Sequence, residues 1–383
     1  MNCPICRDDR VQRFLERRGV PVHQNMLCDT LESAVAAPRG DLRMVVCPQC
    51  GFIFNSSFDV GVTLYGPSYD NNQTYSPSFA KYISGLVEDL IDRGGVRGCR
   101  IIEVGCGKGF FIRQLVEKRD DNTGIGFDPS YVGESSVLDG RLSFERGFYD
   151  ESQIGTPADV VICRHVIEHV RNPLRLLKQV RAALASSPDA RVLFETPCVD
   201  WILDITAFWD FFYEHCSLFN RASMTTAFEL SGYDVVSLRH TFGGQYMWLE
   251  AKPSNRKESQ NVPFEPGDVA ERAIAFGERE RAIVGQWLER VDRETHGPMA
   301  VWGAGAKGVT FLNLIDPNRK NVSFVVDLNP HKQGHFVPGT GHRIVRPEEV
   351  VQEGIERILV MNPNYLREIK ETVNQLGAHV EWM

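Results

Sequence analysis

The chain has 383 residues, of which 43% are hydrophobic and 24% charged, a size and balance that allow two or three soluble domains, each with its own core. A net charge of −8 at pH 7 argues against nucleic acid or an anionic membrane surface as the main partner. No apolar run approaches the roughly 20 residues of a membrane span and no signal-peptide pattern opens the chain, so a cytoplasmic protein with no membrane partner is expected.

In that compartment cysteines are thiols, metal ligands or catalysts rather than disulfides. Cys3-Pro-Ile-Cys6 and Cys47-Pro-Gln-Cys50 are two matched C-x-x-C knuckles. Four thiolates on two short turns make a closed tetrahedral site suited to structural Zn2+, with no open position for chemistry. Cys28 lies between them and reads as a buried thiol, and Met44–Val46 with Phe52–Phe54 read as a small hairpin carrying the second pair. The segment from Tyr65 to Pro77 is polar and holds Tyr65, Tyr69 and Tyr75. It is either a surface loop or a lid over a substrate. From Phe79, the positions Tyr82, Ile83, Leu86, Val87, Leu90 and Ile91 follow helical spacing, which predicts an amphipathic helix.

Arg100–Gly109 is an apolar run that ends in a bend with Gly105, Gly107 and Gly109, and a helical pattern opens at Phe110. Strand, tight turn and helix in that order present backbone N–H groups to a nucleoside or phosphate. The next apolar run, Gly124–Phe127, closes on Asp128, whose carboxylate can accept from both hydroxyls of a ribose. A third strand is expected to end within Phe144–Tyr149, with Phe148 or Tyr149 placed to stack on an adenine. Ala158–Cys163 and Arg191–Glu195 read as two more buried strands, separated by a helix through Leu174, Leu177, Val180 and Leu184. Strands alternating with helices predict a parallel doubly wound sheet with ligands beyond the carboxyl ends of its strands. Arg164–His169 and Glu195–Pro197 leave such ends and face the glycine turn across a cleft, which puts His165 among the cofactor contacts. Glu103 before the first glycine, the G-x-G-x-G turn and Asp128 together resemble class I S-adenosylmethionine-dependent methyltransferases. That resemblance implies Glu103, Gly105, Gly107, Gly109, Asp128, Tyr149 and His165 as the cofactor side.

Phe208–Phe219 is an aromatic run interrupted by Tyr213, Glu214 and His215. Consecutive polar groups in so apolar a run are either satisfied by partners or functional. An imidazole titrates near pH 6.5, so His215 and His169 compete as general base. A helix around Met224–Leu230 and an antiparallel pair, Asp234–Arg239 with Gln245–Lys252, are expected to close this unit. Pro253–Gly267 reads as a linker, and Val269, Ala273, Phe276, Ile283, Trp287 and Val291 as the apolar stripe of a bridging helix. Met299–Trp302 then leads into Gly303-Ala304-Gly305-Ala-Lys307-Gly308, and Val322–Val326 closes on Asp327. That spacing fits a dinucleotide turn. It fits equally a half-Rossmann domain that binds the diphosphate of a nucleotide-linked substrate, with Lys307 and Lys332 as its cations.

The expected organisation is therefore α/β: a zinc-binding module over 1–64, a class I methyltransferase Rossmann-like sheet over 65–252, a linker and bridging helix over 253–297, and a smaller Rossmann-like domain over 298–383. In that order the whole chain resembles the three-domain zinc-containing C-methyltransferases that act on nucleotide-linked deoxysugars. The resemblance rests on Cys3, Cys6, Cys47 and Cys50; Glu103–Gly109 with Asp128; Glu214-His215; and Ala304–Lys307 with Pro330–Gln333. It implies abstraction of a proton beside a sugar ketone and methylation of the enolate, with His169 matching a family histidine after the fourth strand. The family also has a tyrosine two residues before the Glu-His pair, where this chain has Phe212 followed by Tyr213. The mechanism expected is His215 as base, tuned by Glu214, with His169 and Tyr213 near the enolate oxygen. Tyr65, Tyr69, Tyr75, Gly303, Ala304, Gly305, Lys307 and Lys332 are expected on the substrate. The alternatives are an O- or N-methyltransferase and, in another class, an NAD-dependent oxidoreductase using Gly303–Asp327.

Overall fold

The structure, a computed structural model, describes residues 1–63, 69–70, 72–153, 155–255 and 264–383. Tyr65 lies outside them. Strands β1 (Gln12–Pro21), β2 (Arg39–Val46) and β3 (Ile53–Asn55) form an antiparallel sheet beside the two cysteine knuckles. The helix Pro77–Asp92 follows, capped by Ser76, whose side chain accepts from the Phe79 N–H, and opened by a proline at its first turn. Its buried face carries Phe79, Ile83, Leu86, Val87, Leu90 and Ile91, as the spacing predicts.

Six strands come next: β4 (Arg100–Val104), β5 (Thr123–Phe127), β6 (Ser136–Val137), β7 (Leu142–Glu145), β8 (Val160–Arg164) and β9 (Arg191–Pro197). The third parallel strand thus ends at Glu145, within the expected Phe144–Tyr149. β10 (Ser217–Leu218) leaves this unit and pairs with β3 of the N-terminal sheet. β11 (Tyr233–Thr241) and β12 (Tyr246–Pro253) return as an antiparallel pair. The central sheet runs β11-β12-β9-β8-β4-β5-β7-β6, with β4, β5, β7, β8 and β9 parallel and β12 antiparallel to β9. This is a class I methyltransferase Rossmann-like sheet. The chain reverses direction across the sheet between β4 and β8, the place where open α/β sheets bind ligands.

The helix Val269–Val291 leads to a wholly parallel sheet. Its strands are β13 (Met299–Trp302), β14 (Val322–Val326), β15 (Ile344–Val345), β16 (Arg357–Val360) and β17 (Glu381–Trp382), in the order β15-β14-β13-β16-β17. Its own reversal lies between β13 and β16, beside the glycine turn that follows β13. One apolar core runs through Leu15, Met44 and Ile53 of the first sheet, Ile202, Phe208 and Phe211 of the central unit, Phe276 of the long helix and Val301, Phe311 and Val325 of the last domain. The three parts are welded by shared burial as well as by the backbone. Among the described residues no helix is long and apolar enough to cross a membrane.

Candidate active site

The first glycine turn is braced from two sides. Asp128, at the end of β5, accepts the Gly107 N–H at 2.8 Å and the Ser130 N–H at 2.7 Å. Glu103 is buried on β4 and accepts the Ile112 N–H at 3.2 Å, so it holds the start of the helix Phe110–Glu117. Burial pushes the Glu103 carboxyl up to about 8, against the pull of Arg164. At Gly105 and Gly109 an added Cβ would strike Val166 and Phe144, whereas at Gly107, with φ +56°, nothing stands within 4 Å. Gly107 is therefore where a ligand can lie against the backbone. Together with the carboxylate one strand away, the turn fits a nucleoside cofactor. Tyr149 does not. It is 2% exposed, packed 5.2 Å from Phe127 in the core, while Phe148 is 76% exposed. Phe148 is the exposed ring of the two, Tyr149 having turned inward after β7.

A cleft of about 240 Å3 opens beyond β8 and β9 and reaches across to the last domain. From the central unit it is lined by His165, Glu168, His169, Trp201, Asp210, Phe212, His215, Gln245 and Tyr246, and from the last domain by Trp302–Gly303, Gly305–Gly308, Asp327, Lys332 and Tyr365. Tyr69 and Tyr75 line it as well. The strand ends after β8 and β9 and the second glycine turn thus face a common space.

His169 and His215 meet there, their ring centroids 4.9 Å apart and edge to face, with the Phe212 ring 4.0 Å from His215. One ligand atom each from Glu168, His169 and His215 lies within 4.8 Å of the others. Burial, reinforced by His169, His165 and Lys307, holds His215 well below 6.5. A histidine so placed is neutral at pH 7 and able to accept a proton. His165 has φ +54°, a conformation rare outside glycine, and sits between two carboxylates: Nδ1 is 3.3 Å from Glu168 and Nε2 3.2 Å from Glu195. Burial opposes its charge, but those hydrogen bonds outweigh burial and raise it to about 9. Glu195 is fully buried and accepts from Arg164 at 2.6 Å and from Tyr82. Burial opposes its charge too, and Arg164 and His165 overcome it, holding Glu195 near 2.

Two expectations for the catalytic segment are overturned. Tyr213 is turned away from the cleft: it is 1% exposed, its hydroxyl accepts the Asp59 N–H at 2.9 Å, and its ring lies on the bare backbone of Gly40, where a Cβ would come within 2.4 Å. Glu214 does not contact His215. Its carboxylate accepts the Gln24 N–H at 2.8 Å and lies 3.4 Å from His23 Nδ1, tying the segment to the end of β1.

In the last domain the same brace recurs, Asp327 accepting the Ala304 N–H at 2.8 Å. Gly303 and Gly305 are open, and a Cβ at Gly308 would strike the Gly303 carbonyl at 2.0 Å. Lys332 is buried on this turn, its Nζ 3.0 Å from the Ala304 carbonyl and 3.2 Å from Asn25. Lys307 goes elsewhere, to Asp210 and the face of Trp201. Sequence reasoning missed Glu168, Trp201, Asp210 and Gln245. Asp210 carried the same signal as Glu214-His215, a charge inside an aromatic run.

At the knuckles, the Cys3–Cys50 and Cys6–Cys47 sulfurs are 3.6 and 3.4 Å apart, and all four lie within 4.8 Å. Tetrahedral zinc with Zn–S near 2.3 Å places sulfurs about 3.8 Å apart, so the four thiols fit that ion. They are too far apart for disulfides, which need about 2.05 Å.

Residues 78–238 match the family described as a methyltransferase domain, and residues 275–381 match the C-methyltransferase C-terminal domain. Among curated proteins, the C-methyltransferase NovU of Streptomyces niveus is 26% identical over 390 residues, covering 96% of this chain and 90% of that protein. The mitochondrial ubiquinone biosynthesis O-methyltransferase of Schizosaccharomyces pombe is 27% identical over 118 residues, only 29% of this chain and 42% of that protein. Among solved structures, magnesium protoporphyrin IX methyltransferase from Synechocystis with bound SAH aligns at 21% identity and a TM-score of 0.35, over 46% of this chain and 84% of that one.

Proposed function

This chain is an S-adenosylmethionine-dependent methyltransferase, and we propose that it methylates the carbon beside a ketone of a nucleotide-linked deoxysugar. The observation that carries this reading is the shared cleft, with a neutral histidine at one end and a second, open glycine turn at the other. A sugar on a nucleoside diphosphate has the length and the two chemistries to occupy both. The diphosphate would lie on the Gly303–Gly308 turn beside Lys332, and the sugar between His169 and His215. A methyltransferase acting on a small phenol has no use for the second turn, and the ubiquinone O-methyltransferase matches less than a third of this chain.

Bound at Gly105–Gly109 and Asp128, S-adenosylmethionine would supply a methyl group activated by its sulfonium. The chain's own work is to create the nucleophile. His215 removes the proton, burial above all having kept the imidazole neutral, and His169 stands within reach of the same carbon or its oxygen. His165, held between Glu168 and Glu195, acts as part of the wall. Cys3, Cys6, Cys47 and Cys50 would hold structural Zn2+.

The test is the product. With a 13C-methyl donor and a panel of nucleoside-diphosphate 4-keto-6-deoxyhexoses, the label is expected on carbon by NMR, stable to hydrolysis. Label on oxygen or nitrogen would sink the proposal in favour of O- or N-methylation, and NAD turnover without methyl transfer would favour an oxidoreductase.

Asp128→Ala is expected to weaken S-adenosylhomocysteine binding by about ten- to a hundredfold in isothermal titration, since hydrogen bonds to a charged group are each worth about 1.5–3 kcal/mol. Nucleoside-diphosphate affinity should stay unchanged. Equal loss of both would mean that Asp128 only supports the fold.

A further inference from the structure

Removing a proton beside a ketone leaves negative charge on the ketone oxygen, and a base alone does not hold it. Preorganised donors at that oxygen commonly contribute on the order of 10²- to 10³-fold in rate. The catalytic segment offers no phenol for this purpose. Phe212 faces His215 without a hydroxyl, and the Tyr213 hydroxyl is occupied by the Asp59 N–H outside the cleft.

Lys307 stands in the right place. It belongs to the first turn of the helix Ala306–Ile315, directly after the second glycine turn, where its ammonium would be expected on a diphosphate. Instead the side chain crosses the cleft. Its Nζ pairs with Asp210 and lies 5.0 Å from the Trp201 ring centroid, both in the central unit. Asp210 is on the same segment as Phe212 and His215 and is 7% exposed, and its Oδ2 is buried with no hydrogen-bond partner. An ammonium has three N–H donors, and the pair with Asp210 occupies one of them. Lys332 contrasts with it, being seated on the glycine turn by the Ala304 carbonyl. The two lysines that sequence spacing assigns to one diphosphate are thus divided between the two ends of the cleft.

We propose that Lys307 is a catalytic residue whose Nζ donates a hydrogen bond to the enolate oxygen, with Asp210 as the positioning residue that turns it toward the histidines. The inference rests on the C-methylation reading and deepens it. The C–H bond breaks and its proton passes to the His215 imidazole. The electron pair forms the carbon–carbon double bond, and the carbonyl π pair moves to the oxygen facing Lys307. In methylation the double-bond pair would form the new carbon–carbon bond as the sulfur–methyl bond breaks and sulfur leaves as the thioether, and the oxygen pair would return to the carbonyl. The same ammonium helps to keep His215 neutral, so one charge serves both the base and the oxyanion.

The experiment follows hydrogen exchange without methyl transfer. Thymidine, uridine, cytidine and guanosine diphosphate 4-keto-6-deoxyhexoses are incubated with the enzyme in D2O without methyl donor, and the sugar exchanging fastest with wild type is carried forward. Its parent nucleoside diphosphate is titrated in parallel. Lys307→Met is expected to lower saturating exchange on the order of 10²- to 10³-fold while nucleoside-diphosphate affinity is retained. Lys307→Arg should recover part of the rate. With a neighbouring cation gone, His215 protonates more readily, so the acid limb of the Lys307→Met exchange profile should move to higher pH. Weaker diphosphate binding with undiminished saturating exchange overturns the proposal and returns Lys307 to the diphosphate. If wild type binds a nucleoside diphosphate but exchanges none of the sugars, the C-methylation reading itself fails and the Lys307 role falls with it.

Discussion

Replacing His215 with Asn is expected to lower methyl transfer by on the order of 10³-fold, within the range by which a positioned general base accelerates a proton transfer. Asn keeps the size and loses the basic nitrogen, so the Phe212 contact survives. S-adenosylhomocysteine binding, measured by titration, should match wild type, because the cofactor turn at Gly107 and Asp128 is held by β4, β5 and the helix Phe110–Glu117. The pH profile is the sharper readout. Burial first, and then His169, His165 and Lys307, favour the neutral imidazole, so its pKa lies below the usual 6.5. The base is active when unprotonated, so turnover should persist as pH falls through 6.5 and disappear only below it. An acid limb at or above the ordinary histidine range, or wild-type turnover in His215→Asn, would defeat the assignment. The same experiment with His169→Asn separates the two histidines: loss that leaves an acid limb, moved to higher pH because a neighbour that depresses His215 is gone, marks His169 as a donor rather than the base.

The second large effect concerns the N-terminal module, which has no open metal position and yet is expected to control turnover. Cys47→Ser should abolish zinc binding, measured by metal analysis, and lower methyl transfer by at least about a hundredfold, the scale of a catalytic group moved out of line. The reason lies in what the module holds. Arg17 on β1 is buried, bound to Glu280, and donates at 2.8 Å to the carbonyls of Phe208 and of Phe211. The Gln24 N–H reaches Glu214, the Asp59 N–H reaches Tyr213, and the Asn55 N–H donates to the Cys216 carbonyl at 2.9 Å. β10 then joins β3. Tyr213, Glu214, Cys216 and β10, on both sides of His215, are thus fastened to the N-terminal module that holds the four cysteines. Zinc bound by such a site stabilises small modules by about 10–16 kcal/mol in isolated peptides, far more than those few hydrogen bonds. S-adenosylhomocysteine affinity should survive, since none of its expected contacts lies in the module. Full turnover in chelator-treated, metal-free protein would leave the module a merely structural appendage.

Much of the fold was legible because local backbone chemistry leaves few choices. Glycines between an apolar run and a helix, followed by a carboxylate closing the next run, read correctly as strand, turn, helix and strand at both Gly105–Asp128 and Gly303–Asp327. The two C-x-x-C pairs met, as knuckles of that spacing do. The site was legible in part. His169 and His215 lie together, and Tyr69 and Tyr75 line the same cleft. What failed was the direction of side chains in segments without period. The pattern leaves Phe148 and Tyr149 as equal candidates for an adenine platform and places Tyr213 as a phenol near the substrate, whereas Tyr149 and Tyr213 both turn inward. Neither residue type nor spacing distinguishes the inward from the outward face once a strand has ended.

By itself, then, the sequence determined the order of the three parts, the two glycine turns with their carboxylates, the cysteine set and the pair of histidines, since each follows from residues near one another in the chain or from a strong local pattern. Only the tertiary structure decided that the second glycine turn opens on the cleft of the two histidines, that Glu214 serves the segment after β1 rather than His215, and that Lys307 crosses to Asp210 while Lys332 stays on its turn. Those outcomes depend on contacts between residues tens to hundreds of positions apart. There the cost of burying a charge selects whichever partner the packed chain brings within reach, and no local spacing records that choice.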